Sequence, residues 1–539
     1  MKATMMDYPL TLLHVLERAG KMYRSTGIVS RMPDRSLHRY TYGDFYRRAR
    51  LLAKALQKAG LKRGDRVGTL MWNHYVHLEA YFGVPVAGGV IHTLNLRLHP
   101  EEIAYMIRHA KDRFLIIDDI LLPLFEKFKN KIDVQKIIVV PLTGNPVPSC
   151  FENYEQFIRL PDDRFSYPDL DENEAAGMCY TSGTTGRPKG VVYTHRALVL
   201  HSFALALKDS LGISEQDSVM PVVPMFHVNA WGLPFVCTMM GARQVFPGPH
   251  LDPESLLELM KKEKVTVSAG VPTVWFGILQ ELERRPGQWK FQDTNVLIGG
   301  SAAPESLIRG LKRYNLNVLH GWGMTETTPV ATISRLRPHL QKLSPDKQFA
   351  YQAKQGVAVP FVELRLVNEK GEVPWDGETM GELQIRGSWI AGDYYKCPDS
   401  RHSFTDDGWF STGDVACIDA DGYVKITDRI KDLIKSGGEW ISSVDLENAL
   451  MDHPAVAEAA VIAMPHPKWQ ERPLAVIVPE EGKKISPEEL REFLLPKFSR
   501  WWLPDRFVFA DEIPRTSAGK FSKVKLREQY VRGNSQEPQ

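Results

Sequence analysis

The sequence predicts an α/β fold, with a large N-terminal domain of mixed, mostly parallel sheets flanked by helices, a β-rich subdomain, and a small α+β C-terminal domain. The first observation is that short apolar runs alternate with amphipathic stretches of helical length, as is typical of parallel sheets with helical crossovers. The second is the length, because 539 residues are too many for one hydrophobic core. The third is a change near residue 360, after which strand-like segments follow one another closely.

The large domain begins with a predicted helix over residues 41–60, where Thr41 and Asp44 have the spacing of a capping box and Gly60 ends the pattern. A strand over 66–71 follows, and the same alternation continues downstream. Further strands are predicted over 115–118, 136–140, 265–268, 295–298 and 317–319, and helices over 273–284 and 304–314. This alternation predicts largely parallel sheets in the domain.

The β-rich part is predicted to be a meander that closes the large domain, with strands over 362–366 and 382–386 joined through a turn at 368–371. After Asp428 the pattern becomes α+β. The elements predicted there are a helix after Ser442, strands over 455–463 and 474–478, and a helix that begins at Ser486, where Ser486 and Glu489 have the spacing of a capping box. They indicate a separate, smaller C-terminal unit.

Composition and charge limit the classes of partner. The 67 basic and 65 acidic residues leave a net charge of +2, which gives no case for a nucleic acid or an anionic membrane as partner. The five cysteines lie far apart, without a CxxC pair or a zinc-like spacing with histidine. The N-terminus lacks an uninterrupted apolar stretch, and the last residues are not a retention signal. We therefore expect a cytoplasmic protein.

One segment, residues 219–242, contains no Asp, Glu, Lys or Arg and is long enough to span a bilayer. Pro221, Pro224 and Pro234 interrupt it, and prolines break a membrane helix. The segment is therefore predicted to be a buried strand-and-turn region that lines a pocket, and no integral membrane segment is expected.

A glycine- and hydroxyl-rich loop, Tyr-Thr-Ser-Gly-Thr-Thr-Gly-Arg-Pro-Lys-Gly at 180–190, lies between apolar runs at 175–179 and 191–193. Its glycines allow several N–H groups to point at one anion, its hydroxyls add donors, and Lys189 adds a positive charge, which suits a polyphosphate. The P-loop of kinases and GTPases requires Gly-Lys followed by Ser or Thr, which this run lacks. A solvent-exposed linker is the alternative, although the apolar flanking strands disfavour it.

Five motifs in order resemble the core motifs of the adenylate-forming superfamily, which contains acyl-CoA synthetases, peptide-synthetase adenylation domains and beetle-type luciferases. They are the loop at 180–190, Gly-Trp-Gly-Met-Thr-Glu at 321–326, Ser-Thr-Gly-Asp at 411–414, Asp-Arg-Ile-Lys-Asp at 428–432 and Pro-Arg-Thr-Ser-Ala-Gly-Lys at 514–520. The resemblance covers essentially the whole chain. Within the superfamily, residues 224–231 and 432–441 look most like bacterial and archaeal medium- to long-chain fatty acyl-CoA synthetases.

The resemblance implies an ATP- and Mg²⁺-dependent fatty acid–CoA ligase. In this chemistry a carboxylate attacks the α-phosphate of ATP, pyrophosphate leaves, and the CoA thiolate then displaces AMP from the acyl-AMP. The first step brings the carboxylate close to the phosphates of ATP, which are also anionic, so it needs electrostatic stabilisation more than a protein nucleophile. The implied domains are 1–428, which binds ATP and the acyl group, a hinge at 429–432, and a mobile domain at 433–539 that carries the catalytic lysine.

The resemblance also assigns the site residues. Catalytic roles fall on Lys520, Thr325, Glu326 and His227, and the Mg²⁺ ligands are Thr181 and Glu326. The acyl substrate is assigned to His227, Val228, Trp231 and Gly323, and the pantetheine path of CoA to Gly437 and Gly438. The residues assigned to the nucleotide and cofactors are Thr181, Ser182, Gly183, Thr184, Thr185, Lys189, Val228, Gly300, Ser301, His320, Gly321, Trp322, Thr325, Asp414, Arg429, Lys431, Lys435 and Trp440.

Individual roles follow from the matching positions. Lys520 bridges the attacking carboxylate and the α-phosphate, and Lys431 is the hinge position. Asp414 accepts hydrogen bonds from both ribose hydroxyls, a task suited to an ionised carboxylate. Trp322 stands where the family usually has Tyr, so its indole either stacks on adenine or packs in the core. Trp231 is a candidate lid of the acyl tunnel.

Simpler interpretations of these residues remain open at this point. Glu326 and Lys520, each taken alone, are expected as solvated surface charges, and Gly437 and Gly438 suit an ordinary turn. The alternative functions are an adenylation enzyme that serves a carrier protein, a luciferase-like oxygenase, and a catalytically inactive acyl- or nucleotide-binding protein. The sequence leaves acyl chain length undetermined, and whether the chain forms a homodimer stays open.

Overall fold

The computed structural model of the protein describes residues 1, 3–162, 165–181, 187–436, 439–516 and 521–532, with backbone alone for residues 439, 440 and 532. Across these residues the strands form four sheets. Two mostly parallel sheets and one antiparallel sheet belong to the large N-terminal domain, and the fourth belongs to the C-terminal domain. In the described ranges no helix has both the length and the apolar character needed to cross a membrane.

The first parallel sheet ends in the hairpin that carries the predicted phosphate loop. Its neighbouring strands are parallel except for the last pair, Ala175–Tyr180 and Gly190–Thr194, which is antiparallel. The two strands predicted around the loop are therefore confirmed, and residues 182–186 of the loop lie outside the described residues. In spatial order the strands are Glu152–Asn153, Lys136–Val140, Asp112–Asp118, Arg66–Leu70, Val90–Thr93, Ala175–Tyr180 and Gly190–Thr194.

The second sheet has a parallel centre and antiparallel edges. Strand Leu316–Gly323 is the last parallel strand on one side and pairs antiparallel with Val330–Ile333 on its other edge. At the far edge Gly27–Arg31 pairs antiparallel with Leu37–Thr41. In spatial order the strands are Val357–Ala358, Val330–Ile333, Leu316–Gly323, Thr294–Ile298, Val267–Gly270, Ser218–Pro221, Arg243–Phe246, Gly27–Arg31 and Leu37–Thr41.

Helices cover these sheets and build the core between them. Helix Tyr42–Lys58 starts at the predicted capping box, in which the Thr41 hydroxyl and the Asp44 carboxylate each accept from the other residue's backbone N–H. It packs closely on helix Tyr75–Val86, since a methyl group at Gly83 would lie 2.8 Å from the Ala49 carbonyl oxygen. The other helices of eight or more residues in this domain are Leu12–Met22, Pro100–Ala110, His195–Ala206, Leu233–Met240, Pro253–Lys262, Pro272–Arg284, Glu305–Lys312 and Pro345–Ala353.

Segment 219–242 departs in part from its prediction as strand and turn. The strand Ser218–Pro221 and a turn at Val228–Gly232 are present, but Leu233–Met240 is a helix. The prediction was wrong there because Pro234 was taken as a helix breaker. It lies in the first turn of the helix, where the missing N–H has no intrahelical partner to lose.

The predicted meander is confirmed as an antiparallel sheet at the end of the large domain. Its last two strands, Phe410–Ile418 and Val424–Arg429, carry Asp414 and Arg429 opposite each other. This register is what brings the two residues together at the site. In spatial order the strands are Gly371–Glu372, Val362–Asn368, Gly381–Gly387, Phe410–Ile418 and Val424–Arg429.

The C-terminal domain has its own sheet and a separate small core. Its first helix, Ser443–Met451, begins against the last strand of the meander, where Asp428 accepts from the Ser443 N–H at 2.8 Å and the Ser442 hydroxyl donates to the Thr427 carbonyl at 2.6 Å. The other elements are Ile434–Ser436, Glu439–Ile441, Val456–His466, Gln470–Pro479, Pro487–Leu494, Arg506–Phe509, Lys523–Arg527 and a π-helical turn at Glu528–Arg532.

Candidate active site

A cavity of about 540 Å³ lies at the carboxyl ends of strands Thr294–Ile298 and Leu316–Gly323, beside the phosphate-loop hairpin. Ligands of open α/β sheets bind at this end of the strands. The cavity is lined by residues from four of the five motifs that the sequence singled out. The predicted site residues that line it are Thr181, Lys189, His227, Val228, Trp231, Gly300, Gly321, Trp322, Gly323, Thr325, Glu326, Arg429 and Lys431.

A second cavity of about 710 Å³ adjoins the first and lies between the large domain and the C-terminal domain. The two cavities share Gly300, Gly321, Trp322 and Arg429 in their walls. The C-terminal domain contributes residues on both sides of the segment 517–520, which lies outside the described residues. The further predicted site residues that line the second cavity are Ser301, His320 and Asp414. The residues on the two sides of 517–520 that line it as well are Arg515, Thr516, Phe521, Ser522, Lys523 and Val524.

Several predicted residues are not tested by this geometry. Lys435 lies on strand Ile434–Ser436, where its backbone N–H donates to Glu471 at 2.8 Å, and it lines neither cavity. The residues that lie outside the described ones are Ser182, Gly183, Thr184, Thr185, Gly437, Gly438, Lys520 and the side chain of Trp440. The roles assigned to all of these residues stay predictions.

Asp414 is held by two donors that come from separate motifs. The indole N–H of Trp322 donates to one carboxylate oxygen at 2.9 Å, and Nε of Arg429 lies 2.5 Å from the other. The carboxylate is buried, whereas part of the Arg429 side chain is exposed. Charge-assisted bonds of this kind fix the orientation of a carboxylate. The three predicted residues therefore form one connected group at the junction of the two cavities.

Glu326 is the second buried carboxylate of the site. The Tyr394 hydroxyl donates to its Oε1 at 2.5 Å, and the Tyr193 hydroxyl donates to the carbonyl of the preceding residue, Thr325, at 2.8 Å. Burial, followed by the nearby Glu326 charge, raises the pKa of Tyr394, so its hydroxyl stays protonated and donates. The ammonium group of Lys189 lies 4.7 Å from the centre of the same tyrosine ring.

The turn that carries the predicted acyl contacts Val228 and Trp231 has an unusual backbone conformation. Val228, Asn229, Ala230 and Trp231 have φ values of 36°, 58°, 48° and 56°, and Gly232 follows at 78°. Left-handed backbone at non-glycine residues costs about 1–2 kcal/mol per residue, so surrounding contacts must stabilise it. The turn directs the indole of Trp231 over Gly299, where an added methyl group would lie 3.4 Å from the ring.

Small residues are required around this cavity for different reasons. At Gly323 a methyl group would overlap the carbonyl oxygen of Pro329, so only glycine fits. At Gly232 a methyl group would lie 2.6 Å from the His201 ring, and the backbone there is left-handed. The glycine at 323, predicted as a substrate contact, is therefore also required by packing.

His320 lines the second cavity, and a backbone carbonyl sets the tautomer of its ring. Its Nδ1 lies 2.8 Å from the carbonyl oxygen of Ala353, and because a carbonyl only accepts, Nδ1 carries the proton. Burial lowers the pKa of His320, so the ring is neutral near pH 7 and Nε2 keeps a lone pair.

Sequence reasoning missed two tyrosines that contact the site, Tyr193 and Tyr394. Tyr193 lies on the strand after the phosphate loop. Side chains alternate between the two faces of a strand, so the sequence offered a weak indication that Tyr193 is buried beside the loop. Tyr394 lies in the irregular segment Gly-Asp-Tyr-Tyr at 392–395, which resembles an ordinary surface turn. No spacing in the sequence indicates its contact with Glu326.

Comparison with known proteins agrees with this arrangement. The family model "AMP-binding enzyme" matches residues 17–395, and the model "AMP-binding enzyme C-terminal domain" matches residues 445–520. The chain belongs to the AMP-binding enzyme family. The first of these models alone covers more than half of the chain and includes the phosphate loop and the motif at 321–326.

Curated relatives of this AMP-binding enzyme align with it over nearly their whole length. A long-chain-fatty-acid–CoA ligase from Thermus thermophilus is 52% identical over 532 residues, covering 98% of this chain and 97% of the relative. A medium-chain-fatty-acid–CoA ligase from Ectopseudomonas oleovorans is 43% identical, with 98% of each chain covered. A 3-methylmercaptopropionyl-CoA ligase from Ruegeria lacuscaerulensis is 44% identical, covering 98% and 99%.

Solved structures of the family share the fold. The anthranilate CoA ligase AuaEII, in complex with anthranoyl-AMP, superposes with a TM-score of 0.86 at 26% identity, covering 98% of this chain and 99% of that one. ATP-bound MatB from Rhodopseudomonas palustris gives a TM-score of 0.80 at 26% identity, covering 96% and 98%. The arrangement of a large α/β domain and a C-terminal domain is therefore that of adenylate-forming enzymes.

Proposed function

We propose that this AMP-binding enzyme is an ATP- and Mg²⁺-dependent fatty acid–CoA ligase, which forms acyl-AMP and then transfers the acyl group to CoA. The observation that carries the proposal is the composition of one cavity. Thr181 and Lys189 of the phosphate loop, the buried carboxylate of Glu326 and the apolar turn that bears Trp231 all line it. The names of the relatives from Thermus thermophilus and Ectopseudomonas oleovorans support a fatty acid as the acyl substrate.

In the proposed reaction the nucleotide lies across the two adjoining cavities. Asp414, held in place by Trp322 and Arg429, accepts hydrogen bonds from the ribose hydroxyls through the lone pairs that its two donors leave. His320 and the small residues Gly300 and Ser301 line the part assigned to adenine. Lys189 and the phosphate loop neutralise the β- and γ-phosphates, with Ser182, Gly183, Thr184 and Thr185 assigned from the motif.

The described residues fit a Mg²⁺ ion that is shared with ATP. They contain no cluster of three or more His, Cys, Asp or Glu that could hold a metal unaided. Mg²⁺ is usually bound by one or two protein oxygens together with substrate phosphates and water, which is what Thr181 and Glu326 offer. When bound, the ion would neutralise phosphate charge as pyrophosphate leaves.

An aliphatic acid suits the acyl part of the cavity. The segment from Met220 to Phe235 contains no Asp, Glu, Lys or Arg, so it offers no ion pair to a substrate amine or a second carboxylate. His227, Val228 and Trp231 bring this segment to the cavity wall. Each methylene that is buried there contributes about 0.8 kcal/mol to binding, so affinity should rise with chain length until the cavity is filled.

We infer that residues 1–428 bind ATP and the acyl group, that residues 429–432 form a hinge, and that residues 433–539 form a domain that moves between the two half-reactions. The position of residues 515, 516 and 521–524 in the wall of the second cavity supports a role for Lys520 at the α-phosphate. Gly437, Gly438, Lys435 and Trp440 are then assigned to the CoA-bound arrangement of the same domain.

The proposal is tested with purified enzyme, ATP, Mg²⁺, CoA and a series of unbranched acids from acetate to palmitate. We expect AMP, pyrophosphate and acyl-CoA in equal amounts, with kcat/KM highest for a medium or long chain. Acyl-AMP without consumption of CoA would indicate a carrier-protein partner instead. Oxygen-dependent product would indicate an oxygenase, and no AMP from any acid would refute the ligase.

A further inference from the structure

The loop at residues 391–395 joins two parts of the site that are far apart in sequence. The backbone N–H of Ala391 donates to the carbonyl of Glu326 at 2.8 Å, and the backbone N–H of Tyr395 donates to the carbonyl of Gly190 at 2.8 Å. Gly190 is the first residue of the strand that follows the phosphate loop. The loop therefore ties the base of the phosphate loop to the turn that carries the predicted metal ligand.

Tyr394, at the centre of this loop, contacts both functional groups with one side chain. Its hydroxyl donates to Glu326 Oε1 at 2.5 Å, and the ammonium group of Lys189 lies 4.7 Å from its ring centre. Tyr394 is 7% exposed and Glu326 5%, so both are withdrawn from solvent. In such surroundings hydrogen bonds and cation–π contacts are stronger than in water.

Each contact limits a freedom that would otherwise weaken the site. A glutamate carboxylate rotates about its last bond with little barrier, and a hydrogen bond to one oxygen selects one orientation. A lysine side chain loses considerable entropy when it is ordered, and a ring beneath the ammonium group offsets part of that loss before the phosphates arrive.

We propose that Tyr394 is a positioning residue for the phosphate end of ATP: its hydroxyl orients the Glu326 carboxylate towards Mg²⁺, and its ring holds Lys189 towards the phosphates. The inference rests on the proposed roles of Glu326 and Lys189. The roles of the hydroxyl and of the ring can be tested separately, because the hydroxyl acts on the metal through Glu326 and the ring acts on Lys189.

The experiment compares Tyr394→Phe, which keeps the ring, with Tyr394→Leu, which removes both contacts. ATP binding is measured by calorimetry over a series of Mg²⁺ concentrations and in EDTA, alongside ATP–pyrophosphate exchange. For Tyr394→Phe we expect the Mg²⁺ concentration at half-saturation to rise roughly tenfold, with ATP affinity in EDTA unchanged. For Tyr394→Leu we expect the same rise and, in addition, an ATP affinity in EDTA that is roughly threefold lower.

A matched control removes a similar contact outside the site. Tyr154 donates its hydroxyl to the buried Glu79 at 2.7 Å, so Tyr154→Phe tests the loss of a buried tyrosine–glutamate hydrogen bond. This variant should keep the wild-type Mg²⁺ dependence. Placing 4-aminophenylalanine at position 394, which retains a ring and a donor, should restore the Mg²⁺ dependence and also serves if Tyr394→Phe does not fold.

A Glu326→Gln variant distinguishes failure of the positioning role of Tyr394 from failure of the metal role that the proposed function gives to Glu326. If Glu326→Gln leaves the Mg²⁺ dependence unchanged, the metal role of Glu326 is wrong and the proposal for Tyr394 fails with it. If Glu326→Gln shifts the Mg²⁺ dependence while Tyr394→Phe matches the wild type, the positioning role alone is overturned. A change in the KM for the fatty acid, without any change in Mg²⁺ or ATP binding, would likewise overturn it.

Discussion

The presence of Asp414 in a cavity wall could be predicted from its motif, but its bond to Trp322 could not. An ionised carboxylate in the Ser-Thr-Gly-Asp motif was predicted to serve the ribose, and the structure places it in the wall of the second cavity. Its partner Trp322 was expected either to stack on adenine or to pack in the core, which stays a prediction, and the structure adds that its indole N–H donates to Asp414. The two residues are 92 positions apart, so only the fold could reveal this bond.

Lys520→Ala is the residue-scale prediction for the first half-reaction. Loss of the cation that we place between the carboxylate and the α-phosphate should lower the rate of acyl-AMP formation by roughly 10²- to 10³-fold, in line with the removal of one transition-state donor. Thioester formation from supplied acyl-AMP should change little. The two half-reactions are measured separately by pyrophosphate exchange and by release of AMP from acyl-AMP with CoA.

The matched control for Lys520→Ala is Lys525→Ala, which removes an exposed lysine from helix Lys523–Arg527. It should leave both half-reactions near the wild-type rates. An equal loss of both half-reactions in Lys520→Ala would contradict the division of labour between them.

His201 gives a pH-dependent prediction for stability. Its Nε2 accepts from the backbone N–H of Val330 at 3.1 Å, and burial lowers its pKa from 6.5 to about 3. The unfolded state therefore binds more protons between pH 6.5 and 3, so this contribution to stability is complete above pH 6.5 and is lost as the pH falls through that window. The slope is at most about 1.4 kcal/mol per pH unit.

We therefore expect His201→Gln, which does not titrate, to show a shallower fall in Tm between pH 7 and pH 4 than the wild type. Its Tm at pH 7 should be lower, because the buried site is repacked. Unfolding followed by circular dichroism at several pH values checks this, and parallel curves for the two proteins would refute the role of His201.

Elements fixed by local chemistry were predictable, and elements fixed by tertiary contacts were not. The capping boxes at Thr41 and Ser486 depend on residues three positions apart, and both were confirmed. The left-handed turn from Val228 to Gly232 has non-glycine residues at four positions, and among these four only Asn229 is of a type that adopts this backbone with any frequency. Trp231 lies over Gly299 and Gly232 lies against the His201 ring, so the turn is in contact with residues that are distant in sequence.

Trp231→Ala is the prediction at this scale. Trp231 lines the cavity from the left-handed turn, and its truncation should enlarge the acyl end without reaching the phosphate residues. We expect kcat/KM for longer or bulkier acids to rise severalfold relative to the best wild-type substrate, by about 0.8 kcal/mol for each additional methylene accommodated. The KM for ATP should stay within about twofold of the wild type.

The control for Trp231→Ala is Trp375→Ala, which truncates a partly exposed tryptophan that lines neither cavity. It should leave the acid-length profile unchanged. If Trp231→Ala also left the profile unchanged, Trp231 would be a core residue and not part of the acyl tunnel.

For the whole molecule, the motifs predicted two domains but not how they meet. The structure shows the first helix of the C-terminal domain beginning on Asp428 and Thr427, and Lys425 of the large domain contacting Asp445 of that helix at 3.1 Å. These contacts involve residues whose types suit many partners, so the sequence could not select among them.

One set of phosphate contacts has to serve two reactions, and a single arrangement cannot place both Lys520 and the pantetheine arm at the same acyl carbonyl.

Rotation about residues 429–432 would satisfy both demands, and Lys431→Pro tests it. Lys431 lies within a tight turn, in which the N–H groups of Asp432 and Leu433 both donate to the Arg429 carbonyl, at 2.9 and 2.8 Å. Proline would fix φ at 431 and restrict residue 430, which limits rotation in either direction.

We expect acyl-AMP formation by Lys431→Pro to continue at a rate close to that of Lys431→Ala, which loses the same charge without the constraint. Transfer to CoA should be roughly tenfold slower or more, because closure and reopening then limit the rate. Rapid-quench measurement of each half-reaction decides the matter, and equal impairment of both, or of neither, in a folded Lys431→Pro variant would rule out this hinge.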